Sequence, residues 1–285
     1  MSRLFKMKYL IAFILLLSCT DQKEKSNLNE NIVLSSKNIF IDQNIEGQIR
    51  ARKVIIHANE DPREDYHYPL VFFFHGNGGS AESWVNQNQD FINSHQFIGV
   101  YPQGYKKSWN LGVESSKADD IEFCIRIMDE LVNYRNINYN KIFAIGTSNG
   151  SAIVNELAIK VDFLRGIAPI ASQLTMNQEV TESQSYLSVY QVCGSDDQVV
   201  PYHGGVSGVG HNFRSADESA LMWAKALDCD LSYQIEKLDG DTLFTYTSCK
   251  ENNIVISRKV NGGNHNLNGK GRKIIRDVWE FFSNI

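Results

Sequence analysis

The sequence predicts an α/β domain in which a mostly parallel central sheet is flanked by helices. Three observations predict it. Apolar runs of strand length alternate with segments whose apolar residues recur every three to four positions. The alternation continues from about Asn38 to the C-terminal Ile285, as parallel strands joined by right-handed helical crossovers require. The third is the stretch Lys141-Ile142-Phe143-Ala144-Ile145-Gly146-Thr147-Ser148-Asn149-Gly150, where a strand-like run passes through Gly-x-Ser-x-Gly into a helical pattern starting at Ser151.

Taken in order, the chain opens with a segment that is not part of the fold. Arg3, Lys6 and Lys8 precede an apolar run from Tyr9 to Leu17, too short to span a bilayer and of the length of a secretion signal. Leu16-Leu17-Ser18-Cys19 resembles a bacterial lipobox. Residues 1–18 are therefore expected to be a lipoprotein signal peptide and Cys19 an acylated new N-terminus, held in a lipid bilayer by several acyl chains. The polar stretch to Ser36 reads as a flexible tether, making 19–36 anchor and tether and 37–285 the domain.

Asn38 to Ile41 and Ile49 to His57 are expected as antiparallel strands. The five apolar residues Leu70 to Phe74 suit a buried central strand. A helix over Ser83 to Ser94, a strand at Ile98 to Tyr101 and an amphipathic helix over Asp119 to Tyr134 follow, the last with Ile121, Ile125, Met128 and Val132 on one face. After the Lys141 strand and its helix come strands at Gly166 to Ile170 and Leu187 to Cys193 and a helix at Phe213 to Leu227. A hairpin pattern from Tyr233 to Tyr246, a strand at Asn253 to Val260 and a helix from Lys270 complete the chain. This order matches the α/β-hydrolase fold, and no stretch between strands is long enough for a large cap domain.

The formal charge of −5 becomes −8 when a signal carrying Arg3, Lys6 and Lys8 and no acidic residue is removed. An acidic domain argues against nucleic acid as a partner. With Cys19 acylated, Cys124, Cys193, Cys229 and Cys249 remain and permit three pairings. Cys229 and Cys249 flank the hairpin pattern, and an exported chain allows that short loop to be closed by a disulfide. Cys124 and Cys193 read as buried small apolar residues. No Cys/His spacing calls for a metal, and no cofactor is expected.

The turn at Ser148 has the strand–turn–helix context in which a serine hydroxyl is exposed in strained geometry at a sheet edge. Side chains at Gly146 or Gly150 would collide with neighbouring backbone. A serine hydroxyl needs a base, and the base an orienting acid. Loops after two later strands carry candidates, Gly194-Ser195-Asp196-Asp197 and Gly262-Gly263-Asn264-His265. Phe74-His75-Gly76-Asn77-Gly78-Gly79 follows the predicted central strand. Its Asn77 backbone N–H, with that of Asn149, is assigned to an oxyanion hole. His75 reads as a brace for this loop. No Lys-Ser/Thr follows the glycines, which excludes a phosphate cradle.

Several further pieces carry a resemblance. They are His75-Gly76, Tyr101-Pro102-Gln103-Gly104, Ser108-Trp109-Asn110, Asp119 to Phe123, Gly146 to Gly150, Asp197 to Tyr202 and Gly262 to His265. Together they resemble the exported esterases that comprise polyhydroxybutyrate depolymerases and the family-one carbohydrate esterases, feruloyl and acetyl-xylan esterases among them. The resemblance covers about Gln48 to the C-terminus. It implies Ser148 as nucleophile, Asp197 as triad acid and His265 as base, and it supports the Cys229–Cys249 pairing. The chain departs from that group at Ser151 and Cys193, where a glycine and a histidine are usual, and at Asn266, Leu267 and Asn268 after the histidine. Trp109 and Tyr202 are expected to border the substrate as aromatic platforms. Asp119 and Asp120 are expected to cap a helix.

The expected function is that of an exported serine esterase working through an acyl-enzyme. Its substrates would be feruloyl or acetyl groups on polysaccharide. A polyester depolymerase, a peptidase of the same fold and a catalytically silent glycan-binding lipoprotein are the rivals. The expected setting is the bacterial cell envelope, with Thr20 after the cysteine favouring the outer membrane, on its periplasmic or surface side, and the expected state is a monomer.

Overall fold

The computed structural model describes residues 32–181 and 187–285. The N-terminal hairpin pairs β1 (Lys37–Ile45) with β2 (Gln48–His57) antiparallel. Then follow β3 (Tyr68–Phe74), α1 (Ala81–Asn93), β4 (Ile98–Pro102), α2 (Asp120–Leu131), β5 (Ile137–Thr147), α3 (Asn149–Lys160), β6 (Gly166–Ile170) and β7 (Ser188–Gly194). A short ribbon of β8 (Gly205–Val206) and β9 (Asn212–Phe213) precedes α4 (Ala216–Ala226). The chain ends with the hairpin β10 (Tyr233–Leu238) and β11 (Asp241–Tyr246), then β12 (Val255–Val260) and α5 (Gly271–Ser283).

Ten strands form one sheet in the order β1-β2-β4-β3-β5-β6-β7-β12-β11-β10. The run from β4 through β12 is parallel, and an antiparallel hairpin closes each end. This is the α/β-hydrolase architecture. Among the described residues no insertion is large enough to make a cap domain.

Side chains alternate across β3, so its two faces feed two cores. Leu70, Phe72 and Phe74 pack with residues of α2, α3 and α4, whereas Val71 and Phe73 pack with α1 and α5. All seven residues of β3 are buried, which explains its unbroken apolar run: a strand covered on both faces has no polar side to show.

Three expectations are corrected. The buried stripe of α2 is Phe123, Cys124, Ile127 and Leu131 rather than the Ile121 set, and Ile125 and Val132 are 42% and 48% exposed. The helix carries two apolar stripes, and spacing alone did not rank them. The orientation seen also turns Asp120 inward, where it meets Arg52 at 2.7 Å with both side chains buried. Asp120 is therefore an ion-pair partner, and the cap is Asp119 alone, which accepts the Glu122 N–H at 2.9 Å. Finally, the domain begins before residue 37. Leu34 is buried, and its N–H and carbonyl pair with the Asn136 side chain at 2.8 and 3.0 Å. The signal segment 1–18, Cys19 and the tether up to residue 31 lie outside the described residues.

Cys229 and Cys249 form the expected disulfide across a sequence separation of 20, and Cys124 and Cys193 are buried thiols. Closing a loop of that length is worth about 3 kcal/mol in the chain-entropy account.

Candidate active site

Ser148 sits between β5 and α3 with φ 55° and ψ −121°. A non-glycine residue in such a region costs about 1–3 kcal/mol and persists only where its surroundings hold it. The surroundings are specific. A Cβ at Gly146 would lie 2.1 Å from the Gly150 carbonyl oxygen, and one at Gly150 would lie 2.3 Å from that of Phe74. Only glycines permit this approach of helix to strands, as their spacing predicts. The Ser148 N–H donates to Ile170 O at 2.9 Å. Ser151, the residue that departs from the usual glycine, adds a further tie. Its hydroxyl donates to Gly146 O at 2.7 Å and accepts the Ile170 N–H at 2.7 Å.

His265 is brought to Ser148 by the loop after β12. Its Nε2 lies 2.9 Å from Ser148 Oγ, and its Nδ1 lies 2.7 Å from Asp197 Oδ2. The other oxygen of Asp197 accepts the N–H groups of Val199 and Val200 at 2.8 and 2.9 Å. An ionised carboxylate only accepts, so the imidazole proton belongs on Nδ1 and the Nε2 lone pair faces the serine hydroxyl. The two loops also hold each other. Ser195 Oγ accepts the Gly262 N–H at 2.8 Å, and Asp196 N–H donates to Gly263 O at 2.9 Å. Asp196 thus secures the loop, and Asp197 alone meets the histidine.

Asn77 and Asn149 line the same cavity as Ser148. Asn149 is the first residue of α3, where a backbone N–H has no partner within the helix. His75 braces the Asn77 loop as expected. Its Nδ1–H donates to Gly76 O at 2.7 Å, and its Nε2 accepts the Gly104 N–H at 3.1 Å. Burial lowers its pKa against the opposing Gly76 bond, favouring the neutral ring that this pattern requires.

The two expected aromatic platforms are corrected. Trp109 is fully buried, and its indole N–H donates to His75 O at 2.7 Å. Tyr202 is 3% exposed, with its hydroxyl 2.5 Å from Asp217 Oδ1. Each serves as scaffold behind a site loop, because its polar tip is consumed inside the protein. Cys193 is likewise buried, with burial pushing its thiol pKa up.

A cavity of about 290 Å³ opens beside Ser148. Leu111, Val113, Val200, Val209 and Phe213 give it apolar walls, and Glu114 and His211 add a polar pair. The Asn149 side chain joins this wall. Its Oδ1 accepts the Trp109 N–H at 2.8 Å, while its Nδ2 donates to Trp109 O at 3.1 Å and to Glu114 Oε1 at 3.3 Å. Glu114, His211 and Ser151 were not assigned roles from sequence. Ser151 was at least marked by its departure from the usual glycine; the other two stand 97 residues apart with no local signal.

Fold and site geometry together define an α/β-hydrolase with a hydrogen-bonded serine, histidine and aspartate at its sheet edge. Comparison with known proteins agrees with that class. The chain is 26% identical over 248 residues to "Feruloyl esterase B" of Piromyces equi, covering 81% of this chain and 44% of that protein. It spans less than half the length of the curated relatives that it matches. Among solved structures it resembles an acetyl xylan esterase from Aspergillus awamori with a TM-score of 0.56 and 10% identity, covering 80% of this chain and 94% of the other. It resembles Est1E from Butyrivibrio proteoclasticus with a TM-score of 0.53 and 14% identity, covering 87% and 98%. No family model matches the chain.

Proposed function

We propose that this protein is an exported, lipid-anchored serine esterase that removes acyl groups, feruloyl or acetyl, from polysaccharide. The observation that carries the reading is the chain Asp197–His265–Ser148, with links of 2.7 and 2.9 Å, beside a cavity that Ser148, Asn77 and Asn149 line. In this mechanism His265 Nε2 takes the Ser148 proton as Oγ attacks the ester carbonyl. The oxyanion is stabilised by the backbone N–H groups of Asn77 and Asn149. The His265 proton then leaves with the alcohol, and water attacks the acyl-serine by the same route. Asp197 holds the histidine tautomer and stabilises the imidazolium. The relatives named for feruloyl and acetyl-xylan esterase activity support the choice of substrate.

The test is product analysis with feruloylated xylan, acetylated xylan and polyhydroxybutyrate films. Release of ferulate or acetate is expected; release of hydroxybutyrate alone would replace the polysaccharide reading with a polyester one. Anchoring rests on Leu16-Leu17-Ser18-Cys19. Metabolic palmitate is expected to label the wild type and not Cys19→Ser, and unlabelled wild-type protein in the soluble fraction would remove the anchor.

A further inference from the structure

We infer that Lys270 and Asn261 are positioning residues for His265, clamping both ends of its loop to the turn between β10 and β11. The inference rests on the reading of His265 as the base of the proposed esterase and adds to it what keeps that base in place.

The loop between β12 and α5, residues 261–270, does not hold its shape through backbone preference. Gly262, Leu267, Asn268 and Gly269 have φ of 67°, 53°, 52° and 76°. Left-handed backbone at leucine and asparagine persists only where neighbours fix it, and the glycines are free to leave it. Inside the loop, Asn268 Nδ2 donates to Gly262 O at 2.9 Å. Asn264 Oδ1 accepts the N–H groups of Asn266 and Asn268 at 3.0 and 3.2 Å. These bonds brace the loop within itself and do not tie it to the domain.

Its two ends are tied to one place. Asn261 Nδ2 donates to Gly240 O at 2.7 Å and to Thr242 Oγ1 at 3.1 Å. At the other end, Lys270 Nζ donates to Asp239 O at 3.2 Å and to Asp241 Oδ1. All of these acceptors belong to residues 239–242, at the turn of the hairpin.

The turn offers a rigid grip. Asp241 is fully buried, and its other oxygen accepts Arg258 Nε and Nη2 at 2.9 and 2.7 Å. Arg258, also fully buried, gives Nη1 to Asp277 Oδ2 at 2.6 Å. Arg258 lies on β12, which leads into the His265 loop, and Asp277 on α5, which leads out of it. One ion network thus joins the strand before the loop, the helix after it and the turn that grips both ends. A carboxylate buried this fully has no solvent to replace a lost partner, so its bond from Lys270 counts for more than an exposed pair. Lys273 supplies the contrast. Its Nζ meets Asp239 Oδ2 at 2.6 Å with both side chains well exposed, tying α5 to the same turn without touching the loop.

His265 acts in both halves of acyl transfer, toward Ser148 and then toward water. A loop that drifts slows both steps alike, so kcat falls and KM does not.

The experiment measures kcat and KM for 4-nitrophenyl acetate in wild type and single variants. Lys270→Met keeps the aliphatic stem and loses the charge-assisted bond; its kcat is expected to fall about tenfold, with KM within about twofold of wild type. Asn261→Ala, which loses neutral bonds, should lower kcat about threefold. Lys270→Arg, which still presents donors to Asp241, should recover most of the loss, and Lys273→Met should stay close to wild type. The proposal is overturned if Lys270→Met keeps wild-type kcat, even with a lower Tm, or if Lys273→Met is equally impaired. Hydrogen exchange of the amides of residues 261–270, read by mass spectrometry, gives an answer independent of turnover. Lys270→Met is expected to exchange there about tenfold faster than wild type. If wild type does not cleave the ester, the esterase reading is what fails. Unchanged exchange in Lys270→Met would overturn the clamp separately.

Discussion

The two sides of Ser148 are built by different means. On the His265 side, glycines and a single carboxylate set the geometry through short backbone contacts: Gly262 N–H to Ser195, Asp196 N–H to Gly263, and Val199 and Val200 N–H to Asp197. On the cavity side, the wall is assembled from loops far apart in sequence, closed by Glu114 against His211 and by Asn149 against Trp109. Both sides join loops distant in sequence, but the His265 side does so largely through backbone groups of turns and the cavity side through side-chain pairs. Chemistry tolerates little freedom of position, and the residues on the His265 side are held by turns.

That contrast is tested first on the catalytic side. Asp197→Asn should lower kcat by about four orders of magnitude, because an amide in that place stabilises the wrong imidazole tautomer. Asp196→Asn should cost far less, since its contacts to the loop run through its backbone N–H to Gly263 and its side chain meets only Ser195. Steady-state kinetics of the two variants on one aryl ester decides it, and the reverse ranking would move the acid to Asp196. A much smaller effect belongs to the other side. His211→Phe, which removes the partner of Glu114 in the cavity wall, is expected to lower kcat/KM on an aryl ester by about tenfold. Should it instead abolish turnover of every ester, the division between the two sides would fail.

The same division explains what was legible in the sequence. Nearly every regular element was visible, since β3 and the Ile142 to Gly146 part of β5 are covered on both faces and read as apolar runs. The two-residue strands β8 and β9 were not, because two residues carry no periodicity. Ser148, Asp197 and His265 were legible because each sits in a loop fixed by its place after a strand. Trp109 and Tyr202 were misjudged for one reason. Composition shows that an aromatic residue stands beside a site but not which way it turns, and here the indole N–H and the phenol hydroxyl turn inward to His75 and Asp217. The stripe of α2 was misjudged because the helix carries two apolar stripes that spacing does not rank, and the Arg52–Asp120 pair on the buried side, across 68 residues, leaves no trace in that spacing.

We propose that Ser148 is a nucleophile activated by His265. Its most direct measurement is the mass of the intact protein after treatment with a fluorophosphonate, followed by peptide mapping. The attack of Oγ on phosphorus expels fluoride and leaves a stable phosphonyl-serine. One adduct per chain is expected, on the peptide containing Ser148, absent in Ser148→Ala and formed far more slowly in His265→Ala. Undiminished labelling of Ser148→Ala, or an adduct mapped to another residue, would contradict it.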